Sequence, residues 1–328
     1  MTHPKYRPDI DGLRAIAVLA VVVFHAFPSL LTGGFVGVDV FFVISGFLIC
    51  TILYENLERN QFSLIDFYGR RIRRIFPALI VILIFCYALG WFVLLPDEYK
   101  QLGGHIAGGA GFVQNLILWN ESNYFDNLAE TKPLLHLWSL GIEEQFYILW
   151  PVLLWIVWRL RQNFLVVTLI VAILSFVLNI AGVKDNGTGT FYSPQTRFWE
   201  LLIGATLAYL TLYGNTMVAR WPQIRFLESQ NAHVRRIWVN ARAWLGVICF
   251  LLAFFFINKT SLFPGWWALL PTLGSALLLS SGSAWFNRAI LSHKLLTWFG
   301  LISYPLYLWH WPLLSFARII EGQTPALW

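Results

Sequence analysis

The chain has 328 residues, of which 58% are hydrophobic and 12% are charged, and its mean hydropathy is +0.63. A soluble domain usually carries about 25% charged residues, so this composition excludes an ordinary soluble protein. Repeated long apolar runs instead predict an all-α, polytopic transmembrane helical bundle. The net charge of +6 is concentrated in short segments between these runs, which indicates membrane topology rather than nucleic-acid binding. The three cysteines lie in apolar runs without metal-ligand spacing, so we expect no metal site.

The first apolar run extends from Asp11 to His25 and carries Arg14 near its start. Because Arg14 and His25 are about three helical turns apart, we expect them on one face of a helix, roughly 16 Å from each other along its axis. Ionisable groups inside a span usually line a cavity or a functional path. The alternative is that Arg14 marks the cytoplasmic border and that His25 reaches the opposite border.

The second predicted span, about Phe35–Leu53, carries Asp39 in apolar sequence. A polar loop follows and ends in four arginines, which we term the arginine cluster: Arg70, Arg71, Arg73 and Arg74. Such a cluster beside a span is a strong cytoplasmic marker, and it places the N-terminus inside as well. The third predicted span, Ile75–Leu95, is long enough to cross a hydrocarbon core of about 30 Å.

The segment Gly103–Trp119 is apolar on average but contains five glycines. If it crossed the membrane, Arg159 and Arg161 would be external, which the positive-inside rule disfavours. We therefore expect a re-entrant or interfacial segment. The later spans are predicted near Gly141–Trp158, Phe164–Val183, Phe198–Tyr213, Trp244–Ile257, Gly265–Ser281 and Leu296–Arg318. The chain would then cross about nine times, or ten if Gly103–Trp119 also crosses, with a basic loop over Gly214–Arg242.

Three further groups of polar residues interrupt apolar sequence later in the chain. The first contains the adjacent carboxylates Glu143 and Glu144, and at least one of these should face a polar interior or pair with a cation. In the second group, Arg197 and Glu200 stand three residues apart and could simply pair. The third group contains His310 among aromatic residues, where a structural histidine is the simpler interpretation.

Five motifs of the chain carry a family resemblance: Ile10–Ala17 with His25, Gly37–Phe47, Arg70–Pro77, His136–Pro151 and Ser303–His310. Together they resemble acyltransferase family 3, the integral-membrane O-acyltransferases of bacterial envelopes, over essentially the whole chain. Their spacing most resembles the membrane part of the lipopolysaccharide O-antigen acetyltransferases. Such proteins usually continue into a further span and an extracytoplasmic SGNH hydrolase-like domain. We therefore expect residues 1–328 to form one membrane domain that is truncated before those parts.

The resemblance implies a multi-pass protein of the bacterial cytoplasmic (inner) membrane. It would move an acetyl group from cytoplasmic acetyl-CoA to a hydroxyl of a surface glycan or lipid-linked oligosaccharide, such as lipopolysaccharide O-antigen. The implied partners are acetyl-CoA, the glycan and membrane lipids, without nucleic acid, and a longer acyl group stays open. A transporter or flippase for an acyl or glycolipid substrate is the alternative, with the polar residues along its permeation path. A scaffold without chemistry would explain neither Arg14 and His25 nor the adjacent glutamates.

The same resemblance implies roles for individual residues. Arg14 and the arginine cluster suit the phosphates of CoA, because guanidinium groups bind phosphate bidentately, although topology alone would also explain the cluster. His25 is implied as the proton acceptor or a transient acyl carrier, and Glu143 or Glu144 would orient its imidazole or contact the acceptor. The expected catalytic set is thus His25, Arg14, Glu143 and Glu144. The residues expected to line the same cavity are Asp39, Ser45, Trp138, Ser139, Arg197, Tyr304 and His310.

Overall fold

A computed structural model describes residues 6–121, 129–220, 232–258 and 260–322. Within these ranges the chain forms thirteen α-helices, two short 3₁₀ turns (Gly34–Val36 and Ala129–Thr131) and a π-helical turn (Asn287–Leu291), and it forms no β-strand. The helices are α1 (Pro8–Ala26), α2 (Gly37–Glu58), α3 (Leu64–Val93), α4 (Pro96–Ala110), α5 (Gln114–Glu121), α6 (Leu137–Arg159), α7 (Phe164–Gly182), α8 (Gly187–Tyr192), α9 (Pro194–Arg220), α10 (Ala232–Phe256), α11 (Leu269–Ser280), α12 (Lys294–Leu301) and α13 (Ser303–Glu321).

The helical composition confirms the predicted all-α, polytopic class. Five helical segments of the described ranges are long and apolar enough to cross a membrane, namely α2 with the 3₁₀ turn before it, α3, α6, α7 and α10. Helices α1, α9, α11 and α13 occupy the other predicted crossings and are shorter or carry more polar residues. The number of nine crossings therefore stays a prediction.

The arginine cluster lies inside α3 rather than in a loop, which corrects the sequence prediction. Ser63 caps this helix, because its Oγ accepts a hydrogen bond of 3.3 Å from the Asp66 amide. α3 has 30 residues and is therefore about 45 Å long, whereas a membrane core is about 30 Å thick. The first turns of α3 can thus hold the arginines beyond the core while the rest of the helix crosses it.

Two other predicted boundaries are wrong. Gly214–Arg242 is not a single loop, because α9 continues to Arg220 and α10 begins at Ala232, and residues 221–231 lie outside the described ranges. Hydropathy marks where a helix leaves an apolar environment and not where its backbone hydrogen bonds end. The predicted span Leu296–Arg318 is divided at Ile302 into α12 and α13, since Pro305 follows and proline crowds the carbonyl four residues before it.

The segment predicted to be re-entrant or interfacial is divided between α4 and α5. These helices have 15 and 8 residues, so they are about 22 Å and 12 Å long, and neither alone reaches across a core of about 30 Å. The chain bends between them at Phe112, whose φ of 55° lies in the left-handed region. α4 packs on α3, and α5 packs on α6.

Helix α2 occupies the centre of the described bundle and packs closely on α9. The two helices approach at Gly46 and Gly204, where only glycine fits. A Cβ atom at Gly46 would lie 1.8 Å from the Leu201 carbonyl oxygen, and a Cβ atom at Gly204 would lie 2.1 Å from the Val43 carbonyl oxygen. Small residues allow such backbone contact between helices in membranes. This contact fixes the polar residues of α2 against those of α9.

The substitution Gly46→Ala tests whether the α2–α9 contact supports the bundle. The added methyl group meets backbone atoms that cannot rotate away, so we expect it to destabilise the protein by about 1–3 kcal/mol or more, the range of overpacking. Gly103→Ala is the matched control, because no atom lies within 4 Å of a Cβ at that helical position. The thermal unfolding midpoint in detergent should fall for Gly46→Ala and stay equal or rise for Gly103→Ala. Equal midpoints for the two variants would contradict the role of this contact.

Candidate functional site

Two cavities lie within the described bundle, near opposite ends of α1. The larger has a volume of about 740 Å³ and is lined by Arg14, among others. The smaller has a volume of about 340 Å³ and is lined by His25. Both volumes fall in the range of about 300–1,000 Å³ that is typical of ligand pockets. Val38 and Tyr307 line both cavities and therefore form the partition between them.

The larger cavity holds part of the arginine cluster. Arg71 and Arg74, one turn apart on α3, line it together with Arg14. The Arg71 guanidinium carbon lies 3.9 Å from the centre of the Tyr147 ring, close enough for a cation–π contact. Arg7 also lines this cavity, so four cationic side chains surround it. The same walls carry four carboxylates, those of Asp11, Glu55, Glu143 and Glu144.

The other two arginines of the cluster point elsewhere. Arg70 and Arg73 are exposed and line neither of the two cavities. The Arg73 Nε donates a hydrogen bond of 3.1 Å to the Gly69 carbonyl of its own helix. The structure thus brings two of the four arginines to the larger cavity and leaves two outside it, because successive helical positions turn by about 100°. The role of all four in donor binding stays a prediction.

The adjacent carboxylates belong to the larger cavity and not to His25. Glu143 accepts hydrogen bonds at Oε1 from the Ser45 hydroxyl and from the Tyr147 hydroxyl. Glu144 is buried beside it, and its Oε1 has no hydrogen-bond partner in the described part of the chain. The expectation that Glu143 or Glu144 orients the His25 imidazole is wrong, since both line the larger cavity while His25 lines the smaller. Ser45 also lines the larger cavity whereas Asp39 lines the smaller, so the expectation that these two residues share a cavity is wrong.

The partner of His25 is the second intramembrane histidine. His25 Nδ1 lies 3.0 Å from His310 Nε2, and His310 Nδ1 lies 2.6 Å from the Tyr307 carbonyl oxygen. A carbonyl only accepts, so His310 carries its hydrogen on Nδ1, and its Nε2 is the acceptor of a neutral imidazole. His25 therefore donates from Nδ1, and its lone pair lies on Nε2. The hydrogen-bonded pair fixes one tautomer of His25, as an orienting partner does for a catalytic base.

Two further residues of α13 hold His25 in place. The Trp311 ring packs edge-on against the imidazole, with 4.5 Å between ring centres. Arg318 donates a hydrogen bond of 2.5 Å from Nη2 to the His25 carbonyl oxygen. His310, Trp311 and Arg318 lie on one face of α13, so that a single helix positions the end of α1. His310 itself lines neither of the two cavities and lies behind His25, rather than in the wall as expected.

A buried charge cluster forms another part of the smaller cavity. Arg197 Nη2 lies 2.9 Å from Asp39 Oδ1, and Arg197 Nη1 lies 3.1 Å from Glu200 Oε1. All three side chains are at most 1% exposed. Four aromatic rings, those of Phe42, Trp138, Phe191 and Phe263, have their centres 5.5–5.7 Å from the Arg197 guanidinium carbon. Arg197 and Glu200 thus do pair, as one expectation had it, but Asp39 from α2 joins them.

The partition between the cavities is a hydrogen-bonded group around Tyr307. The Tyr307 hydroxyl lies 2.6 Å from Ser139 Oγ and donates a hydrogen bond of 2.9 Å to the His136 carbonyl. Tyr304, one turn earlier, lines the larger cavity and donates to the Ile75 carbonyl at 3.0 Å. Ser139 and Tyr304 thus lie in the walls of the larger cavity, whereas Trp138 lies in the wall of the smaller cavity together with His25.

The sequence interpretation missed His136, whose side chain lines the smaller cavity. It is 2% exposed, and neither ring nitrogen has a hydrogen-bond partner of ordinary geometry in the described ranges. The ring centre of His136 lies 5.7 Å from that of His310. In the sequence, His136 is marked only by its position at the start of the motif that contains Glu143. That position does not distinguish a functional histidine from a structural one.

The chain segment before His136 is tied down at several points. Trp311 Nε1 donates to the Lys132 carbonyl at 2.8 Å. The Lys132 ammonium donates to Glu121 Oε2 at 2.8 Å, and His105 Nε2 lies 2.9 Å from the same oxygen. Burial on its own raises the pKa of the Glu121 carboxyl, but the hydrogen bonds from Lys132 and His105 outweigh that effect and hold the pKa below its ordinary value. The ionised carboxylate therefore anchors the segment that leads to His136.

The fold and the two cavities define a multi-pass helical membrane protein with an internal polar site. Residues 7–324 match the acyltransferase domain family, and a match over nearly the whole chain shows that this chain belongs to that family. The predicted family is confirmed.

Named relatives agree with the family assignment. The chain is 33% identical to the peptidoglycan O-acetyltransferase OatA of Listeria monocytogenes, over 99% of this chain and 52% of that protein. It is 32% identical to a Bacillus subtilis protein named "Putative peptidoglycan O-acetyltransferase YrhL", over 99% of this chain and 51% of that protein. The chain therefore spans about half the length of the curated relatives it matches. No solved structure matches it.

Proposed function

We propose that this chain is the membrane part of an O-acetyltransferase. It takes an acetyl group from cytoplasmic acetyl-CoA and delivers it to a hydroxyl of an extracytoplasmic surface glycan, in a bacterial cytoplasmic membrane. The observation that carries the proposal is the pair of cavities that meet at Val38 and Tyr307. One of them carries cationic side chains, and the other contains a hydrogen-bonded histidine pair.

The larger cavity suits the donor. Acetyl-CoA is a polyanion with an apolar thioester end, and Arg14, Arg71 and Arg74 offer guanidinium groups to its phosphates. The cluster also supplies the positive-inside signal, so this end of the bundle faces the cytoplasm in the proposal. The thioester would reach the partition while the phosphates stay among the arginines.

The smaller cavity suits proton transfer. The acceptor hydroxyl gives its proton to His25 Nε2 as its oxygen forms a bond to the acetyl carbonyl carbon. The carbon–sulfur bond then breaks, and the CoA sulfur leaves and takes up the proton from the imidazolium. His310 stabilises that imidazolium, because its Nε2 accepts the hydrogen on His25 Nδ1. Such general acid–base catalysis typically contributes 10²–10⁴-fold in rate.

The acceptor class is proposed from the relatives together with the site. Both named relatives carry peptidoglycan in their names, so peptidoglycan is the first glycan to test and lipopolysaccharide O-antigen is the second. Mass spectrometry of surface glycans from cells with and without the gene identifies the acetylated sugar. A mass change in neither glycan, with unchanged acetyl-CoA turnover, would contradict the proposed acceptor.

The affinity for acetyl-CoA tests whether the arginines that line the larger cavity differ in function from those outside it. We expect Arg71→Ala to weaken acetyl-CoA binding by about 1.5–3 kcal/mol, because a charge-assisted contact is lost. Arg71→Lys should restore only part of the affinity, since lysine lacks the planar fork. Arg73→Ala is the matched control, because this neighbouring arginine is exposed and outside the cavities. Equal affinities of the two alanine variants in equilibrium binding to purified protein would reduce the cluster to a topology signal.

The proton-transfer step is tested at His25 and its partner. We expect His25→Gln to insert, to bind acetyl-CoA and to lose glycan acetylation, since glutamine keeps a hydrogen bond but cannot exchange a proton near neutral pH. His310→Gln should keep part of the rate, because its amide oxygen can still accept from His25, whereas His310→Phe should lose more. Acetylation at a near wild-type rate by His25→Gln would show that the base lies elsewhere.

A further inference from the structure

The chemistry of the smaller cavity differs from that of the larger one. Among its described lining residues the cation is Arg197, and this guanidinium already contacts the carboxylates of Asp39 and Glu200. The smaller cavity therefore offers no unbalanced positive charge to an anion, and a neutral ligand suits it.

The walls of the smaller cavity are largely aromatic. Trp138, Phe191 and Tyr192 pack against one another, with ring centres 4.5–5.9 Å apart, and Trp311 closes the side next to His25. A pyranose ring presents apolar C–H faces that pack on aromatic rings and hydroxyl groups at its edge that need hydrogen-bond partners. Pockets with apolar walls and a few convergent polar groups are typical binding sites for such ligands.

His136 is a buried polar group of this cavity that the mechanism does not use. Its imidazole is 2% exposed, and neither nitrogen makes a hydrogen bond of ordinary geometry within the described ranges, although the Leu308 backbone approaches the ring. Leaving such a group unpaired is unfavourable. A neutral imidazole has one donor and one acceptor, which matches a sugar hydroxyl, since a hydroxyl also donates and accepts. An apolar acyl tail would leave both nitrogens unpaired.

We propose that the smaller cavity binds one sugar ring of the acceptor and that His136 hydrogen-bonds a hydroxyl of this ring. The assignment rests on the proposed function and deepens it. His136 and His25 both line the cavity, so a ring held by His136 presents another of its hydroxyls to His25. His136 is then an acceptor-binding residue, whereas His25 takes the proton.

Sugar binding without donor tests the assignment directly. The probe is chitopentaose, an oligomer of N-acetylglucosamine, titrated calorimetrically into the purified protein. We expect His136→Phe, which keeps a flat ring but has no nitrogen, to bind on the order of tenfold more weakly than wild type, as for one lost hydrogen-bonding group. His136→Gln should recover part of the affinity, since its amide also donates and accepts. The control is His293→Asn, at an exposed histidine that caps α12, and it should bind as wild type does.

Acetyl transfer to the same probe separates binding from chemistry. In His136→Phe the KM for chitopentaose should rise about tenfold while kcat at saturating sugar changes little, and retained acetyl-CoA binding shows that the variant is folded. If the Phe variant is misfolded, His136→Gln is compared with the wild type instead. Unchanged sugar affinity in these variants, or no sugar binding by wild type, would overturn the assignment, as would a variant that binds sugar normally but loses kcat. If sugar binding depends on His136 but neither the wild type nor any variant transfers acetyl to the sugar, the proposed function is contradicted. The assignment of His136 to sugar binding would still stand.

Discussion

Tyr307 and the group around it separate a space that holds arginines from a space that holds histidines, and the rest of the proposed site depends on that separation. A donor and an acceptor that approach from opposite sides of a membrane must come within bonding distance without a continuous aqueous path between them. Tyr307 donates a hydrogen bond to the His136 carbonyl and accepts one from the Ser139 hydroxyl, and these two bonds hold its side chain at this junction. In the proposed function, donor and acceptor would meet at this junction.

Helix α13 supplies most of this arrangement. The helix is interrupted at Ile302, and α13 begins at Ser303. Its side chains therefore face positions that they would not reach if α12 continued without a break. Its inner face presents Tyr307 to the partition and His310 to His25. Trp311 also joins α13 to the segment before His136 through the Lys132 carbonyl. One helix therefore sets the partition, the tautomer of His25 and the position of His136.

The sequence predicted the class of protein well because the signals are local. Long apolar runs and arginines beside them follow from the cost of burying charge in lipid, and the motifs indicated the family. Arg14 and His25 stood out because each is a polar residue in an apolar run. These features need no knowledge of which helices touch each other.

The remaining parts of the site depend on contacts between distant segments. Asp39 and Arg197 are 158 positions apart, and His25 and His310 are 285 positions apart. From the sequence we predict Glu143 or Glu144 as the partner of His25, whereas the structure shows His310, because spacing alone does not distinguish a carboxylate from an imidazole. Which arginines of the cluster face the larger cavity could not be predicted either. That depends on how α3 is oriented in the bundle, and a run of arginines does not show it.

The central claim, that an acetyl group passes between two cavities that open to opposite sides, is tested most directly by the sidedness of transfer. The protein is reconstituted in sealed vesicles, with radiolabelled acetyl-CoA on one side and an impermeant glycan acceptor on the other. A cysteine at Asn258, which is exposed and lines the smaller cavity, reports by its reaction with an impermeant thiol reagent which face is outward. We expect labelled glycan only when the donor faces the arginines and the acceptor faces Asn258. Equal transfer with both substrates on the arginine side would contradict the account.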